Sequence, residues 1–133
     1  QELRLADLPG WGHAKVPRRI RDAFGPMIES YLVGRPNLVG LFLLVDARRD
    51  PDPGLGDFAD WLRERDIATT LVATKVDKIP VNRRLQTLTQ LGRGCRVEGQ
   101  VIVTSVSEGL GAAELWRRIS DLAANAASGG KHR

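Results

Sequence analysis

The sequence lacks the features that mark secreted and membrane-spanning proteins. It contains a single cysteine, Cys95, which cannot form an internal disulfide and therefore fits a reducing cytoplasm. No apolar run approaches ~20 residues, the length that a transmembrane helix needs. No charged and then apolar leader is seen either. We therefore expect a cytoplasmic protein with no membrane partner.

Aromatic residues are also few, at 5%, yet the remaining composition is that of an ordinary globular protein. The 133 residues are 42% hydrophobic and 27% charged, which predicts one domain with a substantial core. The net charge of +4 is compatible with an RNA-rich partner. Arginine on solvated helix faces is the more common cause of such a surplus.

Strand-like and helix-like patterns alternate along the chain. The alternation βαβαβαβα predicts an α/β fold in which a parallel sheet is flanked by helices. We expect one domain over 1–127 and a disordered tail over 128–133. The predicted strands cover 3–6, 38–45, 69–73 and 100–104, and the predicted helices cover 18–33, 55–65, 83–91 and 112–126, with a loop at 92–99.

The stretch 69–78 carries the most informative chemistry. Thr74-Lys75-Val76-Asp77 follows a buried strand, so Asp77 falls where open α/β sheets bind ligands. A carboxylate there could accept two N–H bonds from the edge of guanine, and adenine presents the opposite pattern. The stem of Lys75 would lie along the plane of the base. The alternative is that Asp77 only caps the next helix.

Two further loops follow predicted strands. In Asp7-Leu8-Pro9-Gly10, Asp7 could hold a water on Mg²⁺, and the Gly10 N–H could approach a terminal phosphate. In the loop that begins at Thr104-Ser105-Val106, the Val106 N–H could bond to the guanine O6. Each pattern alone is usually a plain turn. Together, in this order and each after a strand, they predict a guanine-nucleotide site.

This arrangement resembles the Ras-like translation-factor class of GTPases, and more closely the EngB (YihA/YsxC) family of bacterial GTP-binding proteins. The residues that carry the resemblance are Leu5-Ala6-Asp7-Leu8-Pro9-Gly10-Trp11-Gly12-His13-Ala14-Lys15-Val16, Leu44-Val45-Asp46-Ala47-Arg48 and Thr74-Lys75-Val76-Asp77-Lys78. The first looks like the switch II stretch of that family. The resemblance covers 3–122.

The resemblance implies a P-loop NTPase-like fold that binds GTP or GDP with Mg²⁺ and hydrolyses GTP. The nucleotide would contact the four residues of Asp7-Leu8-Pro9-Gly10, the four of Thr74-Lys75-Val76-Asp77, and Thr104-Ser105-Val106, with Asp7 reaching the metal through a water. It also implies a monomer that acts in assembly of the large ribosomal subunit, in contact with rRNA, and is linked to cell division and septation.

The sequence departs from the GTPase pattern in its phosphate-binding residues. No Gly-x-x-x-x-Gly-Lys-Ser/Thr phosphate loop occurs among the 133 residues. We therefore expect a carboxyl-terminal part of such a protein, lacking the first strand, phosphate loop and switch I, inactive alone and with little affinity for GTP. We expect a stable sub-core over 38–126, with residues 1–34 packed only weakly. The alternative function is a nucleotide-free scaffold that docks on RNA or protein.

Other departures and single residues have more local consequences. Trp11 stands where many GTPases have the Gln that orients water, and its indole has no acceptor, so we expect slow intrinsic hydrolysis. Thr74 stands where Asn is commoner. Trp116 is expected in the core and Trp61 partly exposed. Cys95 has no His nearby in sequence and is expected to be inert.

Overall fold

The computed structural model describes residues 2–8 and 18–129, except for the side chains of 18–24. The described residues divide into two compact units at the boundary between Leu38 and Val39. The elements are α1 (Arg18–Val33), β1 (Leu41–Asp46), α2 (Pro53–Glu64), β2 (Thr69–Thr74), a 3-10 turn (Val76–Lys78), α3 (Val81–Cys95), β3 (Ile102–Val103) and α4 (Ala112–Gly129).

The first unit confirms one predicted element and corrects another. Helix α1 has the predicted bounds and is continuous through Pro26, with Ile28 and Leu32 buried. The predicted strand over 3–6 is wrong, since none of these residues is in a strand and Leu5 is 68% exposed. Alternation over four residues makes a strand only when a neighbour pairs its backbone groups, and none does so within the described residues. The described order therefore begins with a helix.

The second unit is built on a parallel sheet, as predicted, and its strand order is β1-β2-β3. In register, Leu41 to Asp46 of β1 pair with Thr69 to Thr74 of β2, and Val72 pairs with Ile102 of β3. The central strand β2 is buried from Thr70 through Ala73, which explains its continuous β-branched and apolar sequence. The class of fold is therefore α/β with a parallel sheet flanked by helices.

The edge strand β1 is less buried than its sequence predicts. Leu43 and Val45 are buried, whereas Leu44 between them is 65% exposed. Successive side chains of a strand point to opposite faces, and only one face of β1 is covered in this unit. The prediction that this strand is buried on both faces is wrong, because its apolar sequence does not reveal whether a second layer covers it.

Helix α2 is placed by a side-chain cap at its start, and helix α3 by its buried residues. The Asp52 carboxylate accepts a 2.8 Å hydrogen bond from the Gly54 N–H, and thus caps α2. Helix α3 continues to Cys95, so the predicted loop at 92–99 is wrong over its first four residues. Leu91 and Cys95 are buried, and their burial outweighs the cost of about 1 kcal/mol for each helical glycine.

Helix α4 corrects the prediction for Trp116. Leu122 is buried, Leu115 and Ile119 are partly buried, and Trp116 is 58% exposed. Trp116 is adjacent to Leu115 in sequence and therefore lies about 100° around the helix from it. Trp61 of α2 is partly exposed, as predicted.

The chain's last elements bear on two further expectations. Helix α4 includes Ser128 and Gly129, where the tail was predicted to begin, and 130–133 lie outside the described residues. Within the described part of the chain, none of the helices combines the length and apolar character required to cross a membrane.

Candidate functional site

The loops that follow the three parallel strands meet at one edge of the sheet. Strand β1 ends at Asp46 and β2 at Thr74, and these two residues are paired in register. Lys75 follows with φ 59°, a left-handed conformation that turns the chain sharply after β2. The Val76 N–H then donates to the Thr104 carbonyl oxygen over 3.3 Å. The loops after β2 and β3 are therefore joined through their backbones.

Asp77 is held by the loop after β3 and does not cap a helix. Its Oδ1 accepts a 2.8 Å hydrogen bond from the Ser105 hydroxyl, and Ser105 is only 2% exposed. This bond is the main reason that the pKa of Asp77 lies below its ordinary value of 3.8. Helix α3 has Pro80 at its N-cap, with no side-chain capping bond. The interpretation of Asp77 as a helix cap is therefore wrong.

The loop from Ser105 to Gly111 is closed by its own hydrogen bonds. Ser105 and Leu110 exchange two backbone bonds of 3.2 and 2.9 Å, and the Glu108 N–H donates to the Ser105 hydroxyl oxygen over 3.1 Å. Val106 is fully exposed, and its N–H makes no hydrogen bond within the described part of the chain. The amide that was predicted to reach a base oxygen is thus available to donate.

Two threonines at the ends of the strands secure these loops to the sheet. The Thr74 hydroxyl donates to the Val45 carbonyl oxygen over 3.3 Å. The Thr104 hydroxyl and N–H both donate to the Ala73 carbonyl oxygen, over 3.0 and 2.8 Å. Both side chains therefore bond to the neighbouring strand, and these bonds fix the position at which each loop leaves the sheet.

A cluster of charges at the end of β1 was not predicted as part of the site. Arg48 donates two side-chain bonds to Asp46, of 3.1 and 2.8 Å, and Lys75 Nζ lies 3.5 Å from Asp46 Oδ2. The Arg48 guanidinium is the main reason that the pKa of Asp46 lies well below 3.8. No local sequence pattern marks this cluster, because Asp46 lies beside Lys75 only once the strand register has paired Asp46 with Thr74.

A second unpredicted ion pair joins helix α3 to the loop after β3. Arg84 of α3 contacts both Glu108 carboxylate oxygens, over 3.3 and 3.1 Å, and donates to the Ile79 carbonyl oxygen over 3.0 Å. Arg84 is 21% exposed at its side chain. No local sequence pattern connects these residues, because 24 positions separate Arg84 from Glu108.

The predicted phosphate-side residues belong to the first unit. Asp7 is exposed and Leu8 partly buried, whereas Pro9, Gly10 and Trp11 lie outside the described residues. Among the residues that the structure describes, no three His, Cys, Asp or Glu side chains cluster as a metal site would require. The buried Cys95 thiol has a pKa raised by burial, in keeping with the expectation that it is inert.

The site can therefore present a fixed carboxylate and a free backbone N–H from adjacent loops. The Asp77 carboxylate has acceptor positions beyond the one that Ser105 occupies. Lys75 lies two positions before Asp77 in the sequence, and its ammonium group is within 3.5 Å of Asp46 at the end of β1. Such a site can bind a planar group that offers N–H donors at one edge and an acceptor nearby.

Comparison with known proteins identifies relatives of the whole arrangement. No protein-family model matches the sequence. The probable GTP-binding protein EngB of Desulforapulum autotrophicum is 36% identical over 121 residues, which are 90% of this chain and 62% of that protein. Its namesake in Geobacter metallireducens is 39% identical over 119 residues, 88% of this chain and 58% of that protein. The probable GTP-binding protein EngB of Anaeromyxobacter sp. (strain K) is 41% identical over 123 residues, which are 92% of this chain and 57% of that protein.

The fold also has a solved counterpart. The crystal structure of a probable GTP-binding protein engB matches with a TM-score of 0.71 and 22% identity, over 87% of this chain and 74% of that one. The chain therefore shares the α/β fold of that solved structure, in which a parallel sheet is flanked by helices. Over about nine tenths of its own length, the sequence is similar to these proteins named EngB, as the residues predicted. It spans 57–62% of the length of these curated relatives.

Proposed function

We propose that the natural protein containing this chain binds GTP and GDP and hydrolyses GTP. The observation that carries the proposal is the hydrogen bond from Ser105 to Asp77, which joins the two loops predicted to hold the base. The relatives named as GTP-binding proteins support it. A carboxylate fixed in this way is preorganised for recognition, because little freedom is lost when the base binds.

At the base, each residue has a distinct role. Asp77 accepts from the guanine N1–H and from the exocyclic amine, two parallel bonds to a charged acceptor. The stem of Lys75 lies along the base plane, and the Val106 N–H donates to O6. Val76, Thr74, Thr104 and Ser105 hold these groups through the bonds described above. Adenine would set an amine against the Val106 N–H and lack the donors that Asp77 needs.

At the phosphates, we assign contacts to Asp7, Leu8, Pro9 and Gly10. A carboxylate is the kind of ligand that Mg²⁺ prefers, and exposed Asp7 fits a contact through a bound water. When bound, the metal neutralises phosphate charge. Trp11 has no acceptor to orient a water molecule, so intrinsic hydrolysis is slow until a partner or a monovalent cation supplies one.

We further propose that the protein works in the cytoplasm as a monomer, in assembly of the large ribosomal subunit and in contact with rRNA. A link to cell division and septation follows from the same resemblance. The net charge of +4 is compatible with an RNA-rich partner, because phosphate contacts dominate binding of basic proteins to nucleic acid.

A second candidate function is a scaffold that binds RNA or protein without nucleotide. What favours it is the absence of a Gly-x-x-x-x-Gly-Lys-Ser/Thr stretch from the 133 residues. Phosphate contacts supply much of the affinity in this class, so the 133-residue chain alone should bind GTP more weakly than micromolar. Calorimetric titration of the chain and of the natural protein, side by side, separates the two candidates.

The test of base recognition is the substitution Asp77→Asn in the natural protein. An amide can donate to the C2 oxygen of xanthine, where guanine itself donates, so the ratio of GTP to XTP affinity should fall at least tenfold. Competition binding with both nucleotides measures it. Asp121→Asn, an exposed substitution on α4, is the matched control. An unchanged ratio of GTP to XTP affinity in Asp77→Asn would show that Asp77 does not bind the base.

A further inference from the structure

A network of four residues leads from helix α3 to the Asp77 carboxylate. Arg84 forms a two-pronged ion pair with Glu108. The backbone N–H of Glu108 donates to the Ser105 hydroxyl oxygen over 3.1 Å. That hydroxyl donates in turn to Asp77 Oδ1 over 2.8 Å. The Ser105 hydroxyl therefore accepts a bond from the Glu108 backbone and donates one to Asp77, and the first bond helps to orient the second.

Arg84 also holds the loop on which Asp77 lies. Its Nε donates to the Ile79 carbonyl oxygen over 3.0 Å, directly after the 3-10 turn that contains Asp77. A planar guanidinium can serve both partners at once because its donors point in fixed directions. One side chain therefore fastens the loop after β2 to the loop after β3.

We propose that Arg84, through Glu108, is a positioning residue for guanine selectivity. The proposal rests on the proposed function, in which Asp77 binds the base. Arg84 lies outside the base-binding residues themselves and acts by keeping the Asp77 carboxylate in line with the two guanine donors. Two aligned bonds tolerate little rotation of the acceptor, because hydrogen bonds weaken steeply away from linearity.

A purely structural role would have different consequences. Partly exposed ion pairs contribute little to the free energy of unfolding, and general weakening of the loops would lower affinity for every base alike. Misorientation of Asp77 instead affects the amine bond, which guanine makes and hypoxanthine cannot. The ratio of GDP to IDP affinity therefore reports the orientation of Asp77 separately from the integrity of the site.

The experiment measures dissociation constants for GDP and IDP in the natural protein that contains this chain. The variants are Arg84→Met, Glu108→Gln and the double variant. The matched control is Arg83→Met, whose exposed side chain makes no hydrogen bond or ion pair with the described residues. We expect the preference for GDP over IDP to fall roughly fivefold in each single variant, equivalent to about 1 kcal/mol. The double variant should lose no more than either single one.

Each result bears on the proposal in one direction. Loss of GDP preference in Arg84→Met and Glu108→Gln, with Arg83→Met unchanged, supports it. Equal losses for GDP and IDP, or no loss for either, would overturn it while leaving the proposed function intact if Asp77→Asn has shifted the GTP to XTP ratio. No shift in Asp77→Asn would overturn both.

Discussion

The Ser105 hydroxyl donates a 2.8 Å hydrogen bond to Asp77 Oδ1, across 28 positions of sequence. Ser105 is buried and Asp77 is partly exposed, so a buried donor fixes the carboxylate while the carboxylate remains accessible to solvent. The bond also stabilises the charged form of Asp77, which is the form that accepts two N–H bonds. The carboxylate's orientation therefore depends on a residue from a different loop.

Removing the Ser105 hydroxyl should release Asp77. In Ser105→Ala, the pKa of Asp77 should rise toward 3.8, because the main interaction that lowers it is lost. Carboxyl titration followed by ¹³C NMR measures the shift directly and needs no nucleotide. Ser120→Ala, which removes a hydroxyl bonded to the Trp116 carbonyl oxygen on α4, is the control. An Asp77 pKa that is unmoved in Ser105→Ala would contradict this account of the bond.

Stability should fall in acid partly through Asp46. Its folded-state pKa is depressed, so the ion pairs with Arg48 and Lys75 stabilise the protein above 3.8, the ordinary value, and this contribution is lost as the pH falls below it. Asp46→Asn should therefore be less stable than the wild type at neutral pH. The difference should shrink below about pH 4.

Urea unfolding across that pH range tests the Asp46 prediction. The control is Asp50→Asn, an exposed loop carboxylate that makes no ion pair with the described residues. A stability difference between Asp46→Asn and the wild type that stays constant from neutral pH into acid would show that the ion pairs are not responsible.

Gly111 should be required where the loop after β3 enters α4. Its φ is 95°, and an added Cβ would meet the Val103 carbonyl oxygen and come within 2.7 Å of Thr104 Cγ2. Gly111→Ala should cost at least about 2 kcal/mol in the free energy of unfolding, measured by urea denaturation. At Gly109, φ is 66° and a Cβ meets nothing within 4 Å, so Gly109→Ala should cost only about 1 kcal/mol. Equal costs would contradict the close approach.

Gly56 on α2 offers a prediction in which two effects oppose each other. The Arg96 guanidinium lies over Gly56, where an added Cβ would come within 2.5 Å of Nε, and it pairs with Asp57 and Asp60. Alanine in a helix gains about 1 kcal/mol over glycine, and exposed ion pairs contribute at most about that much. Gly56→Ala alone should thus change the free energy of unfolding very little.

The Arg96→Met background separates the two effects at Gly56. With the guanidinium absent, Gly56→Ala should stabilise the protein by about 1 kcal/mol. Thermal and urea unfolding of the four proteins in this double-mutant cycle give the coupling. A large destabilisation by Gly56→Ala in both backgrounds would mean that helix α2 is too closely packed there for any side chain.

Several features followed from local sequence patterns alone. The apolar spacing of 18–33 predicted helix α1 with its observed bounds, because amphipathic periodicity is a short-range property. The buried run at 69–73 predicted the central strand β2. Since parallel strands end at a common edge, the same reasoning predicted that Asp77 and Ser105 belong to neighbouring loops, and they are in contact.

Other features were decided by tertiary structure. Residues 3–6 alternate as a strand does but are not one in the structure, and Trp116 has helical spacing but lies on the exposed side of α4. Leu44 is apolar and exposed because only one face of β1 is covered within its unit. The pattern of a segment reports its own period, whereas pairing and burial depend on what the rest of the chain places beside it.

The supporting charges of the site show the same division. The sequence by itself determined the parallel α/β order and the residues that offer hydrogen bonds at the ends of its strands. Only the folded chain decided that Asp46 lies beside Lys75 and that Arg84 forms an ion pair with Glu108. It also decided that Asp77 does not cap α3. Arg84 and Glu108 are 24 positions apart, and Ser105, which holds Asp77, lies 28 positions from it. The existence of these contacts depends on strand register and helix placement, which no local pattern of residues specifies.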